Sequence, residues 1–135
     1  MANHGVVHFE IPAEDPDKLS QFYTQLFGWR IEKMSMGGAE APDYYVTFTT
    51  EADEQGRPKQ PGAINGGIHK RQSPEQRPIN YVNVESLEEY VQKAKGLGAR
   101  VLIEKMPVPG MGYFAHLVDP EGNPFGVWQE SSDAA

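Results

Sequence analysis

Residues 6–28, VVHFEIPAEDPDKLSQFYTQLFG, contain the two periodicities that decide the fold. In the first six residues, the side chains at 7, 9 and 11 are apolar, whereas those at 6, 8 and 10 are mixed in character. This alternation predicts a β-strand. Asp15 followed by Pro16 is typical of a helix start. Apolar residues then recur at helical spacing, and Gly28 is suited to ending the helix. The stretch therefore predicts a strand followed by an amphipathic helix.

The same order of elements recurs in the second half of the chain. A strand is predicted at 79–84, and Ser86 with Glu89 has the S-x-x-E spacing of a helix capping box. After each helix come three predicted strands, at 29–34, 44–50 and 64–69 in the first half and at 100–105, 113–118 and 125–129 in the second. The chain is thus predicted to run β-α-β-β-β twice.

Local sequence similarity supports an internal duplication. Leu19 and Leu87 share an offset of 68 residues, as do Gly28 and Gly96. The tetrapeptide IEKM occurs at 31–34 and at 103–106, an offset of 72, which implies four extra residues in the second copy. We predict one domain of 135 residues with modules at about 5–70 and 78–131 and a tail at 132–135. Two helices against eight strands predict an α+β fold.

Composition excludes several classes of protein. The net charge is −7 with no basic stretch, which argues against binding nucleic acid. The chain has no cysteine, which excludes disulfides and thiolate metal sites. No run approaches the roughly 20 apolar residues of a membrane span. The first ten residues do not resemble a secretory signal, so a cytoplasmic location is expected.

Three motifs resemble the vicinal oxygen chelate superfamily, which includes glyoxalase I, bleomycin-resistance proteins, fosfomycin-resistance proteins and extradiol dioxygenases. They are HFEIP at 8–12, FYTQLFGW at 22–29 and DPEGNPFG at 119–126. The resemblance implies two βαβββ modules that form a cupped, mostly antiparallel mixed sheet with the helices on the outside. It also implies a small-molecule cavity and a homodimer.

In metal-dependent members of that superfamily, ligands come from the first and last strand of each module. The resemblance places these positions at Val6, Ile79, Gly66 and Gly126, none of which has a side-chain donor. We therefore predict no metal ligand and no cofactor. A shift of two residues keeps the same strand face and would bring in His8, so a metal-dependent protein is the alternative.

His8 and Glu10 are the candidate catalytic residues, because an imidazole and a carboxylate on one strand face can exchange protons with a ligand. The simpler interpretation is a half-buried strand histidine hydrogen-bonded to Glu10. The other histidines are expected to be solvated (His4), at the rim (His69) and in the core (His116).

Four residues of the second half are candidates for substrate binding. Tyr81 and Asn83, taken as the duplicated counterparts of His8 and Glu10, could orient a small ligand. Trp128 could form an apolar wall, and Met111 lies in a predicted mouth loop at 107–112.

The leading hypothesis is a protein that binds a small organic molecule without a catalytic metal, with turnover undecided. One alternative is a metal-dependent glyoxalase-like lyase or dioxygenase with a shifted ligand set. The other is a non-catalytic protein that sequesters a drug or metabolite. No dinucleotide-binding motif, P-loop or nucleophile elbow is found in the sequence.

Overall fold

The computed structural model describes residues 4–34 and 43–135, and its elements follow the predicted βαβββ order twice. The chain forms two compact units. We call His8–Pro78 the N-terminal unit, and Met1–Val7 together with Ile79–Ala135 the C-terminal unit.

The N-terminal unit contains strand β1 (Val6–Ala13) from His8 onward. Its other elements are α1 (Pro16–Phe27), β2 (Arg30–Met34), β3 (Tyr44–Phe48) and β4 (Gly66–Lys70). The strand order is β2-β3-β4-β1, with β1 parallel to β4 and the other pairs antiparallel. A parallel pair needs a long connection between its strands. Here α1, β2 and β3 all lie within that connection.

The C-terminal unit repeats this topology. Its elements are β5 (Ile79–Asn83), α2 (Leu87–Gly96), β6 (Arg100–Val108), β7 (Gly112–Val118) and β8 (Pro124–Glu130). The order is β6-β7-β8-β5, with β5 parallel to β8 and the other pairs antiparallel. The predicted α+β fold of two βαβββ modules with mixed, mostly antiparallel strand pairing is confirmed.

Both helices begin where the sequence predicts. The Asp15 side chain accepts a hydrogen bond from the Lys18 amide at 3.1 Å, and Ser86 Oγ accepts one from the Glu89 amide at 3.3 Å. Gly28 follows α1 in the left-handed conformation, with φ of 74°, which a residue without Cβ adopts at little cost. In the described part of the chain, neither helix has the length and apolar character needed to cross a membrane.

The two helix N-caps correct the alignment of the repeat. Asp15 and Ser86 are 86 − 15 = 71 residues apart, so Leu19 corresponds to Tyr90. The predicted pairing of Leu19 with Leu87 is wrong, because Leu87 is the first residue of α2 whereas Leu19 is the fourth of α1. The IEKM offset of 72 differs from 71 by one residue, so four extra residues are not required.

Each helix packs on one face of its own unit's strands. In the C-terminal unit, α2 contributes Leu87 and Val91 to a buried cluster with Val84, Ala115, Leu117 and Val127. In the N-terminal unit, the buried residues Ala13, Tyr45 and Ile68 pack with Ile11, Ile31 and with Leu19 and Tyr23 of α1. The opposite face of the strands in each unit is therefore left for other side chains.

The turn between β7 and β8 is organised by one carboxylate. Asp119 accepts hydrogen bonds from the backbone amides of Asn123 and Glu121, both at 2.9 Å. These bonds lower the pKa of the Asp119 carboxyl below its ordinary value, and the bond from the Asn123 amide contributes most. The charged form of Asp119 therefore stabilises the folded state.

This turn predicts a pH dependence of stability. A pKa that is lower in the folded than in the unfolded chain stabilises above the unfolded value, and the contribution is lost as the pH falls through the folded value. Asp119→Ala should therefore lower the midpoint of urea unfolding at neutral pH, and less so in acid. Asp119→Asn, which keeps an oxygen acceptor, should lose less at neutral pH. An equal effect of Asp119→Ala at both pH values would contradict the assignment.

Candidate functional site

In the N-terminal unit, the strand face turned away from α1 carries a polar cluster. Alternation along β1 places His8 and Glu10 on this face, because Ile11 and Ala13 pack on the helix side. Tyr44 of β3 and His69 of β4 reach the same cluster. The two predicted catalytic residues are therefore together, with two residues that the sequence reasoning did not assign to a site.

Tyr44 lies between the predicted pair. His8 Nε2 and the Tyr44 hydroxyl oxygen are 2.8 Å apart, and the Tyr44 hydroxyl donates to Glu10 Oε2 at 2.9 Å. The direct distance from His8 Nε2 to Glu10 Oε2 is 3.8 Å, longer than a hydrogen bond. The His8 and Glu10 side chains are 35% and 17% exposed, so both are partly open to solvent.

His69 approaches the other oxygen of Glu10. Its Nε2 lies 4.0 Å from Glu10 Oε1, and its Nδ1 is 3.0 Å from the carbonyl oxygen of Lys70. Because a carbonyl only accepts, His69 Nδ1 carries a proton. His69, expected at the rim, thus faces the carboxylate of the cluster.

Gly67 allows Tyr44 to take this position. A Cβ atom at Gly67 would overlap the hydroxyl and ring of Tyr44. Neighbouring glycines in a predicted strand indicate such a close approach, which was the available signal for a ring in this place.

Tyr45, the next residue along β3, points to the other face. It is 6% exposed, and its hydroxyl donates to Asp17 Oδ1 at 2.7 Å. Burial, with a further contribution from this bond, raises the pKa of the Tyr45 hydroxyl. Tyr44 and Tyr45 therefore form a natural pair of test and control residues.

In the C-terminal unit, the face turned away from α2 carries aromatic side chains. Tyr81, Asn83 and Trp128 lie on it, since Val84 and Val127 pack on the helix side. Tyr81 is 4% exposed, and its hydroxyl oxygen is 2.6 Å from His116 Nε2. The prediction that His116 belongs to the core is therefore wrong, because strand alternation places it opposite the buried Ala115 and Leu117.

Glycines again make room for the rings. A Cβ atom at Gly126 would overlap the ring of Tyr81, and one at Gly112 would overlap the ring of Trp128. Phe114 lies opposite Trp128 in the β7–β8 register, and its ring centroid is 5.3 Å from that of His116. The face thus presents a group of rings, of which those of Tyr81, His116 and Trp128 also carry polar atoms.

Asn83 and Met111 are placed differently from Tyr81. Asn83 is the register partner of Trp128, and its main chain also bonds to the N-terminal segment, with its amide donating to the Gly5 carbonyl at 3.0 Å. The predicted mouth loop is shorter than expected, because β6 extends to Val108 and β7 begins at Gly112. Met111 lies in the turn between them and is 59% exposed.

Strand register corrects the predicted counterparts. Glu10 is the partner of Gly67, and Tyr81 is the partner of Gly126. Since 81 − 10 is again 71, Tyr81 corresponds to Glu10 and not to His8. The counterpart of Ile79 is then His8 and not Val6.

This correction changes the positions to be tested for a metal. After the correction, the positions that correspond to the metal ligands of other members are His8, Gly67, Ile79 and Gly126. Of these four residues, only His8 has a side chain that can bind a metal ion. Tyr44 and Tyr81 also fill the space beside the two glycines. Across residues 4–34 and 43–135, no three His, Cys, Asp or Glu residues are grouped so as to hold a metal ion. The described residues therefore do not fit the metal site implied by the resemblance.

The glycine contacts predict a sharp difference between two substitutions. Gly126→Ala should destabilise the protein by about 1–3 kcal/mol, because the new methyl group overlaps the buried Tyr81 ring. Gly96→Ala is the control, since a Cβ there meets nothing within 4 Å and alanine favours the helix by about 0.5–1 kcal/mol. Urea unfolding measures both. Equal stability of the two variants would contradict the packing of Tyr81.

Known proteins with similar sequences include the "Putative glyoxylase CFP32" of Mycobacterium bovis, 26% identical over 122 residues. The "Anthracycline biosynthesis protein DnrV" of Streptomyces peucetius is 26% identical over 138 residues. The matches cover 89% and 90% of this chain but 43% and 46% of those proteins. The chain thus spans less than half the length of these relatives.

Solved structures share the fold. The hypothetical protein BH1468 from Bacillus halodurans superposes with a TM-score of 0.68 at 14% identity, covering 99% of both chains. Methylmalonyl-CoA epimerase from Mycobacterium tuberculosis gives 0.67 at 12% identity, covering 97% of this chain and 93% of the epimerase. The sequence model of one superfamily matches residues 5–127. The resemblance noted from the motifs is thereby confirmed, and the chain belongs to the Glyoxalase/Bleomycin resistance protein/Dioxygenase superfamily.

Proposed function

We propose that this protein binds a small organic molecule on a strand face that is turned away from a helix, without a catalytic metal. The observation that supports this most directly is the segregation of side chains between the two faces. In each unit, one face is packed under a helix. The other carries the polar cluster of His8, Tyr44 and Glu10 in one unit and the rings around Tyr81 in the other. Apolar surface with a few convergent polar groups is typical of ligand sites.

In this proposal the two clusters have different roles. His8 and Glu10 exchange protons with a ligand held on the N-terminal unit, since an imidazole and a carboxylate are the usual groups for acid–base chemistry near neutral pH. Trp128 supplies an apolar surface for stacking. Tyr81 and Asn83 orient a ligand held on the C-terminal unit, and Met111 contacts it from the β6–β7 turn of that unit.

The absence of a catalytic metal is proposed from the donor set. One donor among the four matched positions is too few for a divalent ion, which needs three or more protein ligands in a catalytic site. The alternative is a metal-dependent lyase or dioxygenase that uses His8 with donors from shifted positions.

The relatives support a small organic ligand. Their names refer to a glyoxylase and to anthracycline biosynthesis, and one structural neighbour is a methylmalonyl-CoA epimerase. This protein is further proposed to act as a homodimer. The relatives are more than twice as long as the matched region, and a second copy would supply a comparable length of chain.

Ligand binding is tested with Trp128 as the reporter. The chain has two tryptophans, so in Trp29→Phe the fluorescence comes from Trp128 alone. Aromatic hydroxyketones, added one at a time, should include compounds that quench it saturably. Trp128→Ala should weaken binding of such a compound about tenfold in equilibrium dialysis, or about 1.4 kcal/mol.

Trp29→Phe provides the matched control, because Trp29 packs with Tyr23 in the N-terminal unit, at 5.0 Å between ring centroids. This variant should bind the same compounds with the affinity of the original protein. A hydroxyketone recovered chemically unchanged would indicate sequestration without turnover. Failure of every compound to quench Trp128 would contradict the proposed site at Trp128.

Metal content is tested on protein purified without chelators. We expect well below one equivalent of any divalent ion by elemental analysis, because the described residues offer no group of three donors. One equivalent of Ni, Zn, Mn or Fe, lost in His8→Ala, would contradict the proposal and establish the shifted ligand set. His4→Ala is the control, since His4 bonds instead to Tyr90 and Asn83.

A further inference from the structure

We infer that Arg30 binds an acidic group of the ligand, so that the N-terminal unit selects an organic molecule that carries a carboxylate. The inference rests on the proposed function, in which a ligand held on this unit exchanges protons with His8 and Glu10. It adds a negative charge to the description of that ligand. It also adds a binding residue on the edge strand β2, which the proposed function does not use.

Arg30 lies on the strand face that carries the polar cluster. Its neighbour Ile31 packs on the helix side, and strand alternation turns Arg30 to the opposite face. Lys33 and Lys70 lie on the helix side instead, because alternation from Ile31 and from the buried Ile68 places them there. Among the strand residues that the structure describes in this unit, Arg30 is therefore the one Lys or Arg side chain on the ligand face.

The guanidinium of Arg30 rests on an aromatic ring. Its central carbon lies 3.9 Å from the centre of the Phe48 ring, and Phe48 is the register partner of Arg30 across β2 and β3. The attraction between a cation and a ring face holds the guanidinium without occupying its N–H groups. Less side-chain freedom is then lost when an oxygen acceptor binds to those groups, which favours binding.

The position of Phe48 is fixed by the segments next to it. Phe48 is the last residue of β3, and the chain beyond it is bonded to the segment that precedes β4. Asn65 Oδ1 accepts a hydrogen bond from the Thr49 amide at 2.8 Å, and Thr49 Oγ1 donates to the Ile64 carbonyl at 2.7 Å. Asn65 is buried, so water competes little for these bonds. The ring that supports Arg30 therefore stands at a well-held end of its strand.

Most of the hydrogen-bond donors of Arg30 are available to a ligand. A guanidinium has five N–H groups, and the Arg30 side chain is 56% exposed. Within residues 4–34 and 43–135, its hydrogen-bond and ring partners are the Glu32 carboxylate, 2.6 Å from Nη1, and the Phe48 ring. An ion pair between exposed side chains contributes little to stability. A carboxylate of the ligand can therefore bind beside Glu32 on the remaining donors, or replace it.

The charges on this face set the direction of the ligand. β3 and β4 separate β2 from β1. With about 4.8 Å between neighbouring strands, the backbones of β2 and β1 are about 14 Å apart. A molecule with one ring and a short acidic chain can bridge the side chains that extend from these two strands. Because Glu10 repels a carboxylate and Arg30 attracts it, the acidic end lies at β2 and the proton-exchanging end at β1.

The corresponding arginine of the C-terminal unit lacks this setting. Arg100 also begins the strand after a helix and follows Gly98 by two residues, as Arg30 follows Gly28. Its register partner is Val118, which has no ring. The Arg100 side chain has no hydrogen bond, ion pair or ring contact with any residue that the structure describes. The supported arginine is therefore specific to the unit with the polar cluster.

The experiment compares a charged probe with a neutral one. The charged probe is β-(para-hydroxybenzoyl)propionate, an aromatic hydroxyketone with a carboxylate, and the neutral probe is its primary amide, which has a similar shape. By equilibrium dialysis at low ionic strength, the acid should bind about tenfold more tightly than the amide, because a hydrogen bond to a charged acceptor is stronger. Arg30→Gln should remove this difference by weakening the acid alone. Glu32→Gln should tighten the acid about threefold, since a competing carboxylate is lost.

Arg100→Gln is the matched control, because it removes the same charge from the other unit. It should keep the original difference between acid and amide. Nε–H spectra of ¹⁵N-arginine-labelled protein show the contact directly. Arg30→Lys assigns the Arg30 signal among those of the five arginines, and in the original protein the acid should shift this signal more than the amide does.

Equal affinities of the acid and the amide would overturn the inference. A preference for the acid that survives Arg30→Gln, or that is lost equally in Arg100→Gln, would also overturn it. In each of these cases the amide still binds, so the proposed function stands without the acidic group. If neither probe binds, the proposed ligand site of the N-terminal unit is contradicted together with the inference.

Discussion

The parallel pairing of the first and last strand in each module is the constraint on which the other features depend. It brings β1 beside β4 and β5 beside β8, although each pair is far apart along the chain. The helix and two strands between them must then cross to the other edge of the unit and return. This arrangement covers one strand face with the helix and sets Glu10 opposite Gly67, and Tyr81 opposite Gly126.

Glycines at these pairing points determine what can occupy the other face. A strand glycine leaves the space of a side chain empty, and a neighbouring ring fills it. In the N-terminal unit the ring of Tyr44 takes this space, which places its hydroxyl between His8 and Glu10. In the C-terminal unit the ring of Tyr81 does so, with its hydroxyl beside His116. One backbone feature thus produces a polar cluster in one unit and an aromatic one in the other.

The duplicated modules have therefore diverged in chemistry while keeping their topology. Positions that correspond by register carry different groups, such as Glu10 and Tyr81 or His8 and Ile79. The helix faces were constrained by burial and stayed apolar in both units. The opposite faces are not packed under a helix, although Tyr81 on one of them is also buried. Within the Glyoxalase/Bleomycin resistance protein/Dioxygenase superfamily, such faces let one fold hold unlike sets of functional groups.

The sequence by itself determined the order of the elements, the helix N-caps at Asp15 and Ser86, and the shared strand face of His8 and Glu10. These features depend on periodicity and on residues close together in the chain. Only the tertiary structure decided the register of the repeat and the partners of the candidate residues. Tyr44 is 34 residues from Glu10, and His116 is 35 from Tyr81. Such contacts arise from strand pairing between distant segments, which local patterns do not specify.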